Sequence, residues 1–181
     1  TWRYPISARI YAPPQRALTM SSERVTHEFP PVYDRNSRVL ILGTIPSPKS
    51  RERGFYYMHP QNRFWKMLCA VLGEAVPDDI NGRRDLCLKH GVALWDVLES
   101  CEITGAEDSS IKNAKPNDLR LILNGCPIRA VFTTGKKAHA LYGRYFPDLS
   151  ADICLPSTSP ANRTITEAKI LEEFFKIAQY L

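Results

Sequence analysis

The chain contains no long apolar run and no apolar leader. It has 181 residues, and no stretch reaches the roughly 18 apolar residues that a membrane-spanning helix needs. Near the N-terminus there is no continuous apolar core of about 7–15 residues, which marks a secretory signal. With 44% hydrophobic and 24% charged residues, the composition is that of one folded domain. We therefore expect an intracellular, cytoplasmic protein that does not bind membranes.

Cysteines are few and dispersed. No C-x-x-C pair occurs, and successive cysteines are at least 14 positions apart, so the spacing suggests neither a zinc knuckle nor an iron–sulfur cluster. We expect buried, reduced thiols and a protein without a metal, an iron–sulfur cluster or another cofactor. The cysteines are Cys69, Cys87, Cys101, Cys126 and Cys154.

Acidic residues are slightly fewer than basic ones. The 24 lysines and arginines against 19 aspartates and glutamates give a formal net charge of +5, which is compatible with a polyanionic partner but does not identify one. The excess is concentrated between Gly43 and Lys66, where five basic residues accompany a single acid, Glu52. The five are Lys49, Arg51, Arg53, Arg63 and Lys66.

The N-terminal segment, residues 1–36, is expected to be an irregular arm. Residues 1–19 contain three prolines and three arginines, no acid and no hydrophobic period, which predicts little contribution to a core. Met20 is a candidate start of the natural protein, and residues 1–19 are then an upstream extension. An arginine-rich transit peptide is the alternative.

Four short runs of aliphatic and β-branched residues predict strands that are buried on both faces. Residues at helical spacing separate these runs, and glycines mark several helix ends. The alternation predicts an α/β fold, a three-layer α/β/α sandwich with a mainly parallel sheet of about four strands. The ligand site of such a fold lies at the carboxyl ends of the strands. The runs are Val39–Leu42, Val92–Trp95, Ala130–Thr133 and Ile153–Leu155.

Five helices are predicted from the same pattern. The last is expected to begin at a Thr-x-x-Glu capping box formed by Thr164 and Glu167. Its apolar residues Ile170, Phe174, Ile177 and Leu181 lie on one face, and the other helices are expected at residues 64–72, about 79–90, 117–124 and 136 to about 145.

Two loops at the carboxyl ends of predicted strands combine proline with small hydroxyl residues. Gly43–Pro48 follows the first strand, and Pro156–Ala161 follows the last. Hydroxyl and backbone N–H groups can hold a phosphate or a base edge, and proline reduces the entropy lost when a loop is fixed. Ordinary turn formation is the alternative for either loop.

Residues 54–65 contain five aromatic residues, a histidine and flanking positive charge. Aromatic rings beside basic side chains suit an unstacked base next to a phosphate backbone. Core packing is the alternative, above all for Phe64 and Trp65, which begin the apolar face of a predicted helix.

Three motifs, in the same order along the chain, resemble the uracil-DNA glycosylase superfamily. Mismatch-specific uracil and thymine glycosylases are similar, with Gly-Ile-Asn-Pro-Gly, His-Pro-x-Asn-Arg-Phe-Trp and Asn-Pro-Ser in the equivalent loops. The deoxyinosine (hypoxanthine) DNA glycosylase branch is closer, with Gly-Thr-x-Pro-Ser-Pro-Lys-Ser, a Phe-Tyr-Tyr run, a Leu-Trp-Asp-Val strand end and Leu-Pro-Ser-Thr-Ser-Pro-Ala-Asn. The motifs here are Gly43-Thr44-Ile45-Pro46-Ser47, His59-Pro60-Gln61-Asn62-Arg63-Phe64-Trp65-Lys66 and Leu155-Pro156-Ser157-Thr158-Ser159.

The resemblance covers roughly residues 37–181, which are expected to form a single catalytic domain. It implies a monofunctional, metal-independent DNA glycosylase of base excision repair, which flips a deaminated base, hydrolyses its N-glycosidic bond and leaves an abasic site. The implied partner is DNA that contains hypoxanthine; uracil or thymine in a G mismatch is the alternative substrate. A monomer is expected.

The resemblance also implies roles for individual residues. Tyr57 falls where the mismatch-specific enzymes place a phenylalanine that stacks on the flipped base; a buried core tyrosine is the alternative. Most members carry an Asp or Asn in the first loop to hold the attacking water, and the matching residue here is Ile45, which cannot. The residues expected to line the base pocket with Tyr57 are Gly43, Thr44, Ile45, Pro46 and Ser47.

Asn62 is the candidate replacement, because the asparagine of His-Pro-x-Asn is linked to catalysis in the deoxyinosine branch. An amide can orient water or bond the base, and a cap on the helix that follows is the alternative role. His59 is a second catalytic candidate, with a loop-shaping hydrogen bond as its alternative. Leu155 stands where other members have a His or Asn that contacts the leaving base, so that side-chain contact is absent.

Ten further residues are candidate DNA contacts, with solvated surface or a simple turn as the alternative for each. Because Ile45 and Leu155 replace familiar catalytic side chains, a DNA-binding relative without turnover stays open. An unrelated small-molecule α/β enzyme also stays open, and it would not bind DNA at low salt. The candidate contacts are Lys49, Arg51, Arg53, Arg63, Lys136, Lys137, Ser157, Thr158, Ser159 and Arg163.

Overall fold

The computed structural model describes residues 21–181, so the expectations for residues 1–19 and Met20 lie outside the described residues. Within that range the chain forms seven strands and six α-helices. The strands are β1 (Ser22–Thr26), β2 (Val39–Gly43), β3 (Val92–Asp96), β4 (Leu98–Thr104), β5 (Lys112–Pro116), β6 (Ala130–Thr134) and β7 (Ile153–Leu155). The helices are α1 (Pro48–Arg53), α2 (Phe64–Leu72), α3 (Ile80–Lys89), α4 (Arg120–Leu123), α5 (Lys136–Tyr145) and α6 (Glu167–Phe174).

A four-stranded parallel sheet, in the order β3-β2-β6-β7, is the centre of the fold. Every residue of β2 and β3 is buried, which is why these strands consist almost entirely of apolar residues. From β2 the chain crosses to β3 on one side, and from β6 it crosses to β7 on the other. Right-handed crossovers therefore place helices on both faces, and the predicted three-layer α/β/α architecture is confirmed.

A second, antiparallel sheet of order β1-β4-β5 was not expected from the sequence. It shows that the part of the predicted irregular arm within residues 21–36 is structured. Val25 of β1 is 2% exposed, and Val32 forms an isolated bridge with Leu94 of β3. The expectation of an irregular arm is therefore wrong for β1, which pairs with β4 and buries an apolar side chain; between residues 27 and 36 the only further pairing is the isolated bridge at Val32.

Most helices begin and end where the pattern predicts, and two local predictions are wrong. α4 is shorter than the predicted 117–124; Asn117 lies before it, and its side-chain amide donates to the backbone oxygen of Asp96 at 2.9 Å. α6 is capped by Thr166, whose hydroxyl oxygen accepts from Lys169 N at 3.3 Å. Thr164 donates its hydroxyl to Asn162 Oδ1, so the expected capping box is not formed.

Replacing Gly43 with alanine is expected to lower the free energy of unfolding by about 1–3 kcal/mol. The added methyl group would lie 2.4 Å from Asp96 Oδ1, which is closer than atoms can pack. Urea unfolding measures the change. Gly143→Ala is the matched control, since nothing lies within 4 Å of that methyl position and alanine is preferred in a helix by about 0.5–1 kcal/mol. Equal stability of Gly43→Ala and the wild type would contradict the contact.

Candidate active site

A cavity of about 790 Å³ opens at the carboxyl ends of β2, β3 and β6. The two proline-containing loops form much of its wall, through residues 43–48 and 157–162. Residues 105–109, which follow β4, close the opposite side. The cavity therefore lies between the parallel sheet and the antiparallel sheet, at the sheet edge where the sequence predicted a ligand site.

Tyr57 presents an aromatic ring in this cavity. Its ring stacks on Phe64, with centroids 3.7 Å apart and planes 11° apart, and its hydroxyl lies 3.0 Å from Thr134 Oγ1. The residue has a φ of 55°, an uncommon value for a side chain of this size. Burial raises the pKa of Tyr57 far above its usual value, so the ring is a neutral phenol. Because Phe64 covers one face, a base can stack only on the other.

Asn62 and His59 also line the cavity, and both make hydrogen bonds within their loop. Asn62 Oδ1 accepts from Phe64 N, in the first residue of α2, at 3.0 Å; the N-cap position itself is Arg63, which makes no side-chain cap hydrogen bond. Because the amide oxygen is engaged in this bond, the side-chain NH₂ is left as a donor. His59 Nδ1 accepts from Gln61 N at 3.1 Å, which is the loop-shaping bond considered for it. Asn62 can thus bind the first residue of α2 through its amide oxygen and still offer a donor.

Side-chain hydrogen bonds hold the first loop at both ends. Thr44 is 7% exposed and donates its hydroxyl to Asp108 Oδ2 at 3.4 Å. Ser47 caps α1, because its hydroxyl oxygen accepts from Ser50 N at 3.2 Å. Ile45 is half-buried on the cavity wall and has no polar side-chain atom. The side chain of Ile45 therefore cannot hold the attacking water by a hydrogen bond.

Asp96, which lines the cavity, and His27, which does not, form a polar pair that the sequence analysis missed. Asp96 ends β3 and lines the cavity, and its Oδ2 accepts from His27 Nε2 at 2.8 Å. The side chains are only 7% and 2% exposed, respectively. Asp96 could have been identified from the sequence, because it is an acidic residue at the end of an otherwise apolar strand. No sequence pattern identifies His27, because only the antiparallel sheet brings it close to Asp96.

Asp108 is a second carboxyl group on the cavity wall that the sequence analysis missed. The residue as a whole is exposed at the rim, while its carboxyl group is turned toward Thr44. Burial of the carboxyl raises its pKa above the usual value, and Asp96 adds to the rise. The Thr44 hydroxyl and the Lys137 charge oppose it. The group therefore binds a proton more readily than an exposed aspartate does.

Arg63 holds the last loop in place. Its guanidinium donates to the backbone oxygens of Ile165, Ser159 and Asn162 at 3.1, 3.2 and 2.7 Å. Its backbone N–H also donates to Thr158 O at 3.1 Å. We therefore assign Arg63 a positioning role in place of the phosphate contact that the sequence suggested, because these bonds direct the guanidinium into the protein.

Of the other basic candidates for DNA contact, two line the cavity and four do not. Lys49 and Arg51 line it and pair with Glu52 and Glu23 at 2.7 and 2.8 Å. Arg53 lies apart, beside a smaller cavity formed with Met58 and residues 78–81. Lys136 and Lys137 begin α5, and Arg163 is exposed.

Serine hydroxyls of the last loop make hydrogen bonds within the loop itself. Ser157 Oγ accepts from Ser159 N at 3.3 Å, and Ser159 Oγ accepts from Ala161 N at 3.2 Å. Thr158 is 2% exposed. Both serines line the cavity and stay partly exposed, so a further role in contacting DNA stays a prediction for them.

Within residues 21–181, no group of three or more His, Cys, Asp or Glu side chains is arranged to hold a metal ion. In the same range, no helix has both the length and the apolar character that crossing a membrane requires.

Comparisons with known proteins agree with this geometry. The family model of the uracil DNA glycosylase superfamily matches residues 30–181. A hypoxanthine DNA glycosylase from Methanosarcina barkeri is 35% identical over 141 residues, which is 75% of this chain and 87% of the relative. One from Methanosarcina acetivorans is 34% identical over 145 residues, 77% of this chain and 89% of the relative.

A solved structure has the same fold. The solution NMR structure of a candidate uracil DNA glycosylase from Methanosarcina acetivorans superposes with a TM-score of 0.69 at 31% sequence identity. The match covers 83% of this chain and 96% of the other. The family match, the fold and the position of the cavity lead to one conclusion: the chain belongs to the uracil DNA glycosylase superfamily.

Proposed function

We propose that the protein is a monofunctional DNA glycosylase of base excision repair, and that its preferred substrate is hypoxanthine in deoxyinosine. The observation that carries the proposal is the stacking face of Tyr57, which is supported by Phe64 at 3.7 Å and lines a cavity at the sheet edge. The relatives named hypoxanthine DNA glycosylase, 34–35% identical, support the choice of base.

The reaction breaks the bond between C1′ of deoxyribose and the base nitrogen. The base departs with the bonding electrons and the sugar becomes oxocarbenium-like. A water oxygen then bonds to C1′, and the proton that this water releases is balanced by protonation of the departed base. The base must first leave the helical stack, which costs a few kcal/mol and least at a mispaired site. Stacking on Tyr57 offsets part of that cost.

The developing negative charge on the departing base needs donors that are already in position. The side-chain NH₂ of Asn62 is such a donor, since Phe64 N holds the amide oxygen at 3.0 Å. An amide does not accept a proton at neutral pH, so Asn62 orients the base or the water and does not act as a base. The backbone of Thr44 and Ile45 completes the pocket around the base.

DNA is the partner that this reaction requires. We infer that Lys49 and Arg51, which line the cavity, and Lys137, whose charge acts on the cavity-wall residue Asp108, neutralise phosphates. An enzyme that acts on DNA works where the DNA is, which supports an intracellular location. One chain supplies every residue that the proposal uses, and a monomer is therefore sufficient.

Single-turnover cleavage of labelled duplexes tests the proposal. The duplexes contain deoxyinosine opposite a pyrimidine, deoxyuridine, a G:T mismatch or only normal bases, and alkali then nicks the abasic sites. We expect nicking at deoxyinosine. Nicking confined to uracil or thymine would assign the mismatch-specific class instead. Salt-sensitive DNA binding without any nicking would make the protein a binding protein and not an enzyme.

Substitutions of Asn62 separate its two roles. Asn62→Asp keeps an oxygen that can accept from Phe64 N but removes the NH₂ donor, and we expect excision to slow by roughly 100-fold or more with little change in melting temperature. Asn62→Ala removes both, so both excision and stability should fall. Rapid-quench kinetics and thermal melting measure the two effects. An Asn62→Asp variant that excises hypoxanthine at the wild-type rate would eliminate the donor role.

The salt dependence of DNA binding tests the phosphate contacts. Lys137→Ala is expected to reduce the slope of log K against log salt concentration by about 0.9, because one phosphate contact is lost. Lys176→Ala is the control and should leave the slope unchanged. Lys176 follows the end of α6, and its charge pairs with Glu173. Fluorescence anisotropy between low and moderate salt measures both slopes. Equal slopes for Lys137→Ala and the wild type would remove Lys137 from the DNA interface.

A further inference from the structure

The water that bonds to C1′ releases a proton, and the site residues considered so far do not accept it. Ile45 has no polar side-chain atom, and the amide of Asn62 does not accept a proton at neutral pH. His59 Nδ1 accepts from Gln61 N at 3.1 Å, so this nitrogen carries no proton. The N–H of the neutral ring is then at Nε2, which makes Nε2 a donor. The carboxyl groups of the cavity wall are the remaining candidates.

Within residues 21–181, three carboxyl side chains line the cavity. Asp96 is paired with His27 at 2.8 Å. Glu107 is exposed, and in the described part of the chain its side chain makes no hydrogen bond or ion pair that would fix its direction. Asp108 differs from both, because its carboxyl group is held against the protein while one of its oxygens lacks a partner.

The carboxyl group of Asp108 lies against the first loop. Its Oδ2 accepts from the Thr44 hydroxyl at 3.4 Å, a long and therefore weak hydrogen bond, and its Oδ1 has no hydrogen-bond partner among residues 21–181. Thr44 directly precedes Ile45 in the chain. Asp108 therefore brings a carboxyl group from another segment to the part of the first loop where the Ile45 side chain cannot hold water.

The loop that carries Asp108 is fixed to the end of β4. Ser110 Oγ accepts from Thr104 N at 2.8 Å and donates to Glu107 O at 2.7 Å. Gly105 has a φ of 61°, which glycine adopts without a steric cost. A side chain on a loop that is supported in this way keeps its place in the site before the substrate binds.

The surroundings of Asp108 favour binding of a proton. Burial raises the pKa of the carboxyl group above its usual value, and the negative charge of Asp96 adds to the rise. The Thr44 hydroxyl and the positive charge of Lys137 oppose it. The thiol of Cys101 is the other titratable group that faces it. A carboxylate with a raised pKa is a stronger base toward water than an exposed one.

We propose that Asp108 holds the attacking water and accepts its proton. After the base departs with the bonding electrons, the water oxygen bonds to C1′ and the free oxygen of the carboxylate takes the released proton. The carboxyl group then gives this proton to solvent, and solvent protonates the departed base. Asp108 is exposed at the rim of the cavity, where the sugar of an inserted base would lie. This inference rests on the proposed function and adds the group that activates the water.

Asp108→Asn tests the proposal, because the amide keeps the size of the side chain but does not accept a proton at neutral pH. We expect single-turnover excision of hypoxanthine to slow by roughly 100-fold or more. Affinity for a duplex with 2′-fluoro-deoxyinosine, whose fluorine disfavours the oxocarbenium-like sugar, should not fall. Glu102→Gln is the matched control and should excise at the wild-type rate, since Glu102 lies on β4 and does not line the cavity. Thermal melting checks that both variants fold.

The pH dependence of excision separates proton transfer from a purely structural role. The wild-type rate should fall as the pH drops through the pKa of Asp108, because the protonated carboxyl group cannot accept a proton. This fall should lie above the usual aspartate value of about 4, and it should be absent in Asp108→Asn. A wild-type rate that is flat down to about pH 4, or an unimpaired Asp108→Asn variant, would overturn the role of Asp108. Failure of the wild type on deoxyinosine at every pH would instead overturn the proposed function.

Discussion

The missing side chain at Gly43 is the constraint on which the site depends. Parallel pairing of β2 and β3 sets Gly43 beside Asp96, and Asp96 Oδ1 occupies space that any Cβ would need. The Tyr57 hydroxyl lies close to the same point. One glycine at the end of a central strand therefore lets a carboxylate, an aromatic ring and, through His27, an element of the antiparallel sheet come together.

The sequence predicts the parallel sheet well, because strands buried on both faces must be almost wholly apolar. β2, β3, β6 and β7 all lie where such runs occur. The antiparallel sheet escaped prediction for the opposite reason. In β4 the partly exposed Glu99 and Glu102 alternate irregularly with buried residues, one of which is the polar Ser100. The pairing of β4 with β5 is also interrupted by register shifts, so the sequence shows no regular alternating pattern.

Residues of the site can be predicted from the sequence where they belong to a local pattern, and not where they depend on tertiary contacts. Tyr57 and Asn62 belong to a continuous motif, and the structure brings both to the cavity. Asp96 is at the end of a recognised strand, yet its importance depends on a neighbour. That neighbour, His27, lies 69 positions earlier in the chain, and no local pattern connects the two. Contacts made only by tertiary folding, such as this one and the three carbonyl bonds of Arg63, cannot be derived from spacing.

Because of the antiparallel sheet, the similarity to the superfamily and the wall of the cavity begin at different residues. Similarity to the superfamily begins at residue 30, whereas the wall of the cavity already includes Val25 of β1. A shortened protein that started at the similarity boundary would retain every motif of the superfamily. It would nevertheless lack an edge strand and the imidazole that orients Asp96. In this chain, the region that is similar to the superfamily is shorter than the region that forms the cavity wall. A shortened protein made for expression should therefore begin before β1.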